Sequence, residues 1–396
     1  MDRILELFIK NHNNVKDAGV RKQYGLLSGR LGIFFNIVLF IIKIAAGFIS
    51  GSVAVMADAF NNLSDAGTSL VLLIGFKMSG KKPDPEHPFG HGRIEYITGL
   101  IISIVIILMG VELIKSSVEK IIKPTDVNFS TVTMVILIVS IAVKVFMYRY
   151  NKKFSEKIGS VAMKSVAMDS FSDSIATCCV LLSLMVSEYN GIKLDGWLGL
   201  LVSLFVVSAG YEAAKDTIDP LLGEAPDEDF VNNITRFVAS YDDILGMHDL
   251  IVHDYGPGRM MLSFHAEVPA DGDFVKLHDT VDNIERKLKE TLGCETVIHM
   301  DPVFVNDEAT NKMRKYAEYI VKGISEDLTM HDFRMASGPT HTKLIFDVVV
   351  PYDFNMTDDE VKEEISKRIS ILPGNLFAQV DVDKPMIKKQ SKKSSK

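Results

Sequence analysis

Six long apolar stretches alternate with short polar segments over residues 31–213. Each stretch is close to the ~20 residues that an α-helix needs to cross a bilayer. The pattern therefore predicts a six-span transmembrane domain at 29–213, preceded by a cytosolic N-terminal segment at 1–28. The predicted spans are 29–50, 54–77, 94–118, 130–149, 161–186 and 194–213.

The remainder of the chain has the pattern of a soluble α+β domain. Residues 227–301 read as helix, strand, strand, helix and strand, with a Gly-Pro-Gly turn between the first two strands. This order is typical of a ferredoxin-like domain. The predicted fold class is thus a membrane protein of six transmembrane helices followed by an α+β ferredoxin-like cytosolic domain.

That soluble pattern occurs twice. The segment MHDL at 247–250 recurs as MHDF at 330–333, and the later strands recur in the same order. We therefore predict two tandem copies and a basic tail, at 223–302, 306–385 and 386–396. The second copy has Asp347 in the place of His265 and Asp381 in the place of His299. The first copy is therefore the better candidate for a metal site, and the second is expected to serve packing.

Charge along the chain predicts its orientation. Lys and Arg cluster before the first span, between the second and third, and between the fourth and fifth. The positive-inside rule therefore places both termini in the cytosol. We expect the protein to lie in the plasma membrane. The net charge of −8 comes largely from the region after residue 213, and it argues against nucleic acid as a partner. The basic tail is expected to rest on membrane lipid.

Polar residues recur at four-residue spacing within two of the predicted spans. Asn61 and Asp65 lie in the second span, and Asp169 and Asp173 lie in the fifth. This spacing puts each pair on one face of its helix. Carboxylates in hydrocarbon are costly and usually serve function. Two such faces turned together would cage a divalent cation with oxygen ligands; the alternative is a polar contact between helices.

The chemistry of this cage predicts both its metal and its coupling. Oxygen ligands suit Mn²⁺, Mg²⁺ or Ca²⁺, whereas imidazole and thiolate favour Zn²⁺ and Cu. Close carboxylates in a low dielectric hold protons until a dication displaces them. We therefore expect metal binding from the cytosol to release protons, and proton entry from outside to eject the metal.

A second candidate site lies between the second and third spans. Asp84, His87 and His91 have three- and four-residue spacing and would chelate metal if the segment turns helically. The alternative is a rigid turn with solvated histidines, made by Pro85, Pro88, Gly90 and Gly92.

Four motifs in order resemble the cation diffusion facilitator family. They are ADAFNNLSDAG at 57–67, HPFGHGRIEY at 87–96, MDSFSD at 168–173 and IHMDP at 298–302. The resemblance covers about residues 10–302. It implies a homodimer that exports divalent metal from the cytosol in exchange for protons.

The resemblance also implies where metal binds. It places the transport site on Asn61, Asp65, Asp169 and Asp173. Zinc-type members usually have histidine where this chain has Asp169, so the chain is similar to the manganese-exporting branch. In zinc-type relatives the positions that match the 84–91 loop bind metal.

A cytosolic metal site in the first copy is implied in the same way. Its residues are His248, Asp249, His265, His278, His299 and Asp301. His299 and Asp301 alternate along a strand and so share one face. Such a set at a dimer interface would join two protomers, and the alternative is a set of surface histidines.

We therefore predict a secondary active transporter for Mn²⁺ and not an enzyme. An exporter of Zn²⁺, Fe²⁺ or Co²⁺ in the same family and a passive divalent cation channel are the alternatives. The spans lack the Gly-x-Gly-Asp signature of aspartyl intramembrane proteases and the HExxH zinc motif. A channel would line its pore with repeated polar rings, whereas the charge here forms one compact cluster.

Overall fold

The computed structural model describes residues 9, 11–15, 17–50, 53–123, 131–190, 195–338 and 340–385. The chain divides into two compact units. One comprises Met1–Glu224 with Asp254–Met260, and the other comprises Ala225–His253 with Met261–Lys396. The predicted basic tail and most of the first ten residues of the predicted N-terminal segment lie outside the described residues.

The described part of the first unit contains six long helices. They are α1 (Ala18–Ser50), α2 (Val53–Ser79), α3 (Ile94–Ile122), α4 (Thr131–Ile158), α5 (Val161–Asn190) and α6 (Asp195–Leu222). Within the described residues, every one of these except α2 is long and apolar enough to cross a membrane by length and composition. The chain is therefore an integral membrane protein. Helix α2 covers the predicted second span, and its middle carries Asn61, Asn62 and Asp65, which lower its hydropathy.

Several helices extend beyond the apolar stretches that predicted them. Helix α1 begins at Ala18, and α4 and α6 continue to Ile158 and Leu222. An α-helix satisfies its backbone hydrogen bonds internally, so it continues into water where its side chains are polar. The apolar pattern therefore marks the part of a helix suited to lipid rather than the ends of the helix.

Small residues let the helices of the first unit pack closely. Helix α1 packs against α2, α3 against α6, and α4 against α5. A Cβ atom added at Gly25 in α1 would lie only 1.9 Å from Cγ of Phe76 in α2. The rings of Tyr24 and Phe154 meet edge to face with centroids 5.4 Å apart. These contacts join α1, α2 and α4 through one buried core.

The second unit repeats one order of elements, helix-strand-strand-helix-strand. The first αββαβ segment (residues 228–303) comprises α7 (Glu228–Val238), β1 (Gly246–Asp254), β2 (Met260–Pro269), α8 (Phe274–Leu292) and β3 (Cys294–Val303). The second αββαβ segment (308–383) comprises α9 (Glu308–Lys322), β4 (Thr329–Ser337), β5 (Thr342–Val349), α10 (Asp358–Ser370) and β6 (Leu376–Asp383). Each segment forms a three-stranded sheet, in the order β1-β2-β3 or β4-β5-β6.

Local sequence explains the ends of the helices in the second unit. The side chain of Asp273 accepts hydrogen bonds from the first backbone N–H groups of α8, and Gly293 ends that helix with a φ of 70°. Thr357 and Glu360 form a reciprocal capping box at the start of α10. In β5 alternate residues are buried and pack against the apolar face of α10, as expected for a strand with one covered face.

Each αββαβ segment has an irregularity at the same place in its first strand. Asp249 in β1 has a φ of 51°, and Asp332 in β4 has a φ of 49°. In the second sheet the pairing of β4 with β5 shifts register between His331 and Arg334, which marks a β-bulge. A positive φ is unfavourable for a residue with a Cβ atom, although aspartate tolerates it better than most.

Candidate metal sites

Three carboxylates from two helices of the first unit converge. Asp65 on α2 and Asp169 and Asp173 on α5 each offer an oxygen, and these atoms all lie within 4.8 Å of one another. Asp65 is 2% exposed and Asp169 is 6% exposed. We name these three residues the bundle site. Such a set of oxygens matches the ligands that hard divalent cations prefer.

A lysine lies among these carboxylates. Nζ of Lys144 on α4 donates hydrogen bonds to Oδ2 of Asp65 and to Oδ2 of Asp173, each at 2.6 Å. Lys144 is 4% exposed, so the ion pairs are shielded from water. The second oxygen of Asp65, Oδ1, is buried and accepts no hydrogen bond from the described residues. The bundle site therefore holds the ammonium group of Lys144, and Oδ1 of Asp65 remains as an oxygen able to bind a further cation.

The sequence missed Lys144, although it lies within the predicted fourth span. An ionisable residue in an apolar span is itself a signal of function or of a buried partner. Lys43 in α1 is also buried. The predicted ligand Asn61 is exposed, one turn before Asp65, whereas its neighbour Asn62 is buried.

The loop between α2 and α3 brings its three predicted ligands together. Oδ1 of Asp84 lies 3.2 Å from Nδ1 of His87, and Oδ2 of Asp84 lies 3.3 Å from Nε2 of His91. Reciprocal backbone hydrogen bonds between Asp84 and His87 close a tight turn. The backbone hydrogen bond from His87 holds the pKa of the Asp84 carboxyl below its ordinary value. Asp84 and His87 are exposed, whereas the side chain of His91 is only 9% exposed.

In the first αββαβ segment, Asp301 is the centre of a histidine cluster. Its Oδ2 atom lies 2.8 Å from Nδ1 of His265 and 3.3 Å from Nε2 of His248, and its Oδ1 atom lies 3.4 Å from Nε2 of His299. Oδ2 of Asp249 lies 3.3 Å from Nδ1 of His248. That contact holds the pKa of the Asp249 carboxyl well below its ordinary value. We name these five residues the first-segment site.

The sixth residue predicted for this site lies elsewhere. His278 is exposed on α8, where its Nδ1 atom is 3.8 Å from Oδ2 of Asp282, one helical turn away. Within one chain His278 therefore does not join the other five, and its place in a site at a dimer interface stays a prediction. Its helix presents it to solvent, whereas the other ligands come from β1, β2 and β3.

A further cluster forms where the sequence predicted only packing. Asp249 of the first segment meets His331, Asp347 and Asp383 of the second, and one ligand atom from each lies within 4.8 Å of the others. We name these four residues the junction site. Burial and the negative charge of Asp383 raise the pKa of the Asp347 carboxyl. The expectation that the second segment serves packing is thus incomplete.

The repeat itself carried the signal for the junction site. His331 occupies the place of His248, Asp347 the place of His265, and Asp383 that of Asp301. Aspartate binds metal as histidine does, so Asp347 in the place of His265 keeps a ligand at that position. Asp381, in the place of His299, lies outside the cluster, where its Oδ1 atom is 3.8 Å from Nζ of Lys362. Asp332, in the place of Asp249, lies outside it as well.

Comparisons with known proteins identify the family of the chain. A family model described as the cation efflux transmembrane domain matches residues 30–222. A second, described as the cation efflux protein cytoplasmic domain, matches 226–303. The chain also shares 30% identity over 274 residues with an uncharacterized transporter of Methanocaldococcus jannaschii, which covers 69% of this chain and 96% of that protein. The chain belongs to the cation diffusion facilitator family.

Two further relatives of this cation diffusion facilitator have informative names. The manganese efflux system protein MneS of Bacillus subtilis is 26% identical over 67% of this chain and 92% of its own length. The cation-efflux pump FieF of Salmonella agona is 27% identical over 72% of this chain and 96% of its own length. The chain is accordingly a divalent metal transporter rather than an enzyme.

Proposed function

We propose that this facilitator exports Mn²⁺ from the cytosol in exchange for protons. The observation that carries the proposal is the convergence of Asp65, Asp169 and Asp173 on one buried point. The manganese efflux name of one relative favours the same metal. We further propose that Asn61 joins these carboxylates when the ion is bound, because it lies one turn from Asp65 on α2.

The preference for Mn²⁺ follows from the ligands. Mn²⁺ lies at the weak end of the divalent affinity series, so a manganese carrier must avoid ligands that favour its competitors. The bundle site presents three carboxylates from two helices. Among the described residues, no histidine or cysteine belongs to this cluster. Export of Zn²⁺, Fe²⁺ or Co²⁺ is the alternative within the family.

Lys144 gives the exchange a defined first step. Its ammonium bonds two of the three carboxylates, so an incoming dication must displace it from Asp65 and Asp173. Once displaced, the ammonium is repelled by the metal. Protons that enter from outside bind the carboxylates and release the ion, and the ammonium returns to Asp65 and Asp173 as those protons leave to the cytosol. Lys144 thus acts as a tethered counter-ion that occupies the site between transport cycles.

The wider architecture of the proposal has four parts. The chain has six spans, with α2 as the second, and both termini lie in the cytosol at the plasma membrane. The two αββαβ segments are tandem ferredoxin-like copies in the cytosol. The chain works as a homodimer. The described contacts of the first-segment site support a cytosolic metal site, and metal bound there adjusts the dimer geometry in our proposal. The domain boundaries are those predicted: 1–28, 29–213, 223–302, 306–385 and 386–396.

Transport in proteoliposomes tests the proposal. Asp65→Asn, Asp169→Asn and Asp173→Asn should each reduce Mn²⁺ flux at least about tenfold, because each removes a charged ligand. Glu112→Gln is the matched control, since Glu112 is an exposed acid on α3, and it should transport normally. Equal losses in the control would reject the bundle site as the transport site.

The proton gradient separates an antiporter from a channel. An antiporter should move protons against Mn²⁺, so a pH-sensitive dye inside the vesicle should respond only when Mn²⁺ is added. Mn²⁺ flux that ignores an imposed pH gradient would instead support the passive channel. Parallel flux measurements with Zn²⁺, Fe²⁺ and Co²⁺ assign the physiological metal.

A further inference from the structure

The junction site combines ligands from both αββαβ segments. Nε2 of His331 lies 3.2 Å from Oδ1 of Asp249 and 3.4 Å from Oδ2 of Asp383. His331 and Asp347 are directly paired across β4 and β5, and Asp383 ends the neighbouring strand β6. Ligands about 2.0–2.2 Å from a metal lie about 3–3.5 Å apart, which matches these separations.

The histidine of the cluster lies between two carboxylates without a well-aligned hydrogen bond to either. Nε2 of His331 is buried and forms no hydrogen bond with the described residues, although two carboxylates lie near it. The side chain of His331 is only 13% exposed. A buried polar atom without a hydrogen bond is costly unless something else satisfies it. A divalent cation placed among these four residues would accept the lone pair of Nε2 and offset two of the three carboxylate charges.

Asp249 faces two sites at once. Its Oδ1 atom is turned to His331 of the junction site, at 3.2 Å, and its Oδ2 atom is turned to His248 of the first-segment site, at 3.3 Å. The rings of His248 and His331 lie side by side, with centroids 4.7 Å apart. A carboxylate with one oxygen on each side is the geometry of a bridge between two ions.

The contact between Asp249 and His331 has no counterpart made by the equivalent aspartate of the second segment. Asp332 is the counterpart of Asp249 in the second segment, and it has the same positive φ. Its Oδ2 atom, however, pairs with Arg334 at 2.8 Å. The first segment has Ile251 in the place of Arg334, so it has no equivalent restraint on Asp249. One bridging aspartate therefore joins the two segments.

We propose that Asp249, His331, Asp347 and Asp383 form a second cytosolic site for a divalent transition-metal ion, joined through Asp249 to the ion of the first-segment site. One imidazole and three carboxylates suit Mn²⁺ or Fe²⁺, whereas the three histidines of the first-segment site favour Zn²⁺. The inference rests on the geometry of these residues and does not depend on which ion the bundle site transports.

Metal titration of the full-length protein in detergent tests the site. Free Mn²⁺ is counted by electron paramagnetic resonance, because the signal of the hydrated ion is lost on binding. Asp347→Asn and Asp383→Asn should each lose about one bound Mn²⁺ per chain or weaken it at least about tenfold. Asp381→Asn, two residues from Asp383 on β6, removes the same charge outside the cluster and should titrate like the wild type.

Two results would overturn the site. One is that Asp347→Asn and Asp383→Asn both bind Mn²⁺ with the same titration curve as the wild type. The other is an equal loss in Asp381→Asn, which would show a general effect of charge. The two tested variants relieve repulsion between acids, so the metal-free fold should persist, and thermal unfolding checks this. His331→Gln supplies a third test that leaves all carboxylates in place.

The bridge is tested separately with Zn²⁺ in competition with a chelator. Asp249→Asn should weaken both Zn²⁺ at the first-segment site and Mn²⁺ at the junction site, whereas Asp347→Asn should weaken the second alone. Weakening at only one site in Asp249→Asn would show that Asp249 does not bridge. Transport by the bundle site is measured as Mn²⁺ flux, whereas the junction site is measured by metal titration. Failure of one proposal can therefore be told from failure of the other.

Discussion

Nζ of Lys144 lies 2.6 Å from Oδ2 of Asp65, and both residues are almost completely buried. A cation covalently attached to the protein thus lies among the carboxylates that we propose as ligands of the transported ion. Breaking a buried ion pair by removing one partner typically destabilises a protein by about 3–5 kcal/mol, because it leaves an uncompensated charge. The pair therefore links the stability of the helices to the occupancy of the bundle site.

Lys144→Met should lower the thermal unfolding midpoint of the metal-free protein. Added Mn²⁺ should raise that midpoint by more than it does in the wild type, since the ion no longer competes with an ammonium. Lys115→Met is the control, because Lys115 is exposed and its ion pair with Glu112 is long, at 4.0 Å. An equal response to Mn²⁺ in Lys144→Met and wild type would show that the ion does not displace Lys144.

Asp169→His should change which metal is transported. An imidazole in place of a carboxylate favours Zn²⁺ over Mn²⁺, so the ratio of Zn²⁺ to Mn²⁺ flux should rise at least about tenfold. The measurement is flux of both ions in the same vesicle preparation. An unchanged ratio would show that another residue determines selectivity.

Gly25→Ala should disturb the packing of α1 on α2. The added Cβ would lie 1.9 Å from the ring of Phe76, so a core side chain or the backbone must move, at about 1–3 kcal/mol. Gly67→Ala is the matched control, since a Cβ there meets no atom within 4 Å among the described residues. Thermal unfolding of the two variants should show destabilisation in Gly25→Ala alone.

The bulge at Asp332 should tolerate glycine better than a β-branched residue. Its φ of 49° is strained for residues with a Cβ atom, so Asp332→Gly should stay within about 1 kcal/mol of wild type. Asp332→Val should lose at least about 1–2 kcal/mol. Denaturant unfolding measures both, and equal stability of the two variants would contradict the strain at this position.

The capping box of α10 should contribute a pH dependence. The backbone hydrogen bond from Thr357 lowers the pKa of Glu360 below its ordinary value. A lowered pKa means that the stabilisation is present above the ordinary value and is lost as pH falls through the folded value. Glu360→Gln keeps the cap without the charge, so its stability relative to wild type should rise on acidification. Parallel stability curves for the two proteins between neutral and acidic pH would disprove this.

The carboxylates of the bundle site were predictable, but their counter-ion was not. Spacing alone placed Asp169 and Asp173 on one helical face, and their cost in lipid indicated function. Lys144 lies on α4, and its approach to Asp65 depends on how α2, α4 and α5 pack. That tertiary information is absent from the periodicity of any one span.

The junction site was hidden for a related reason. The repeat aligned His331 with His248, yet the meeting of His331 with Asp249 requires the two αββαβ segments to lie together. The positive φ of Asp249 was equally invisible, because the alternation of residues along a strand does not reveal it. The order of helices and strands was evident because it depends only on local pattern.

The tie between Asp249 and His331 has a further consequence. Both metal ligands belong to one polypeptide, so the effective concentration of one near the other does not change when the protein is diluted. A metal ion ligated across two separate molecules would be released as their number fell. The free metal level that half-fills the junction site should thus be the same in a cell with few copies of the protein as in one with many.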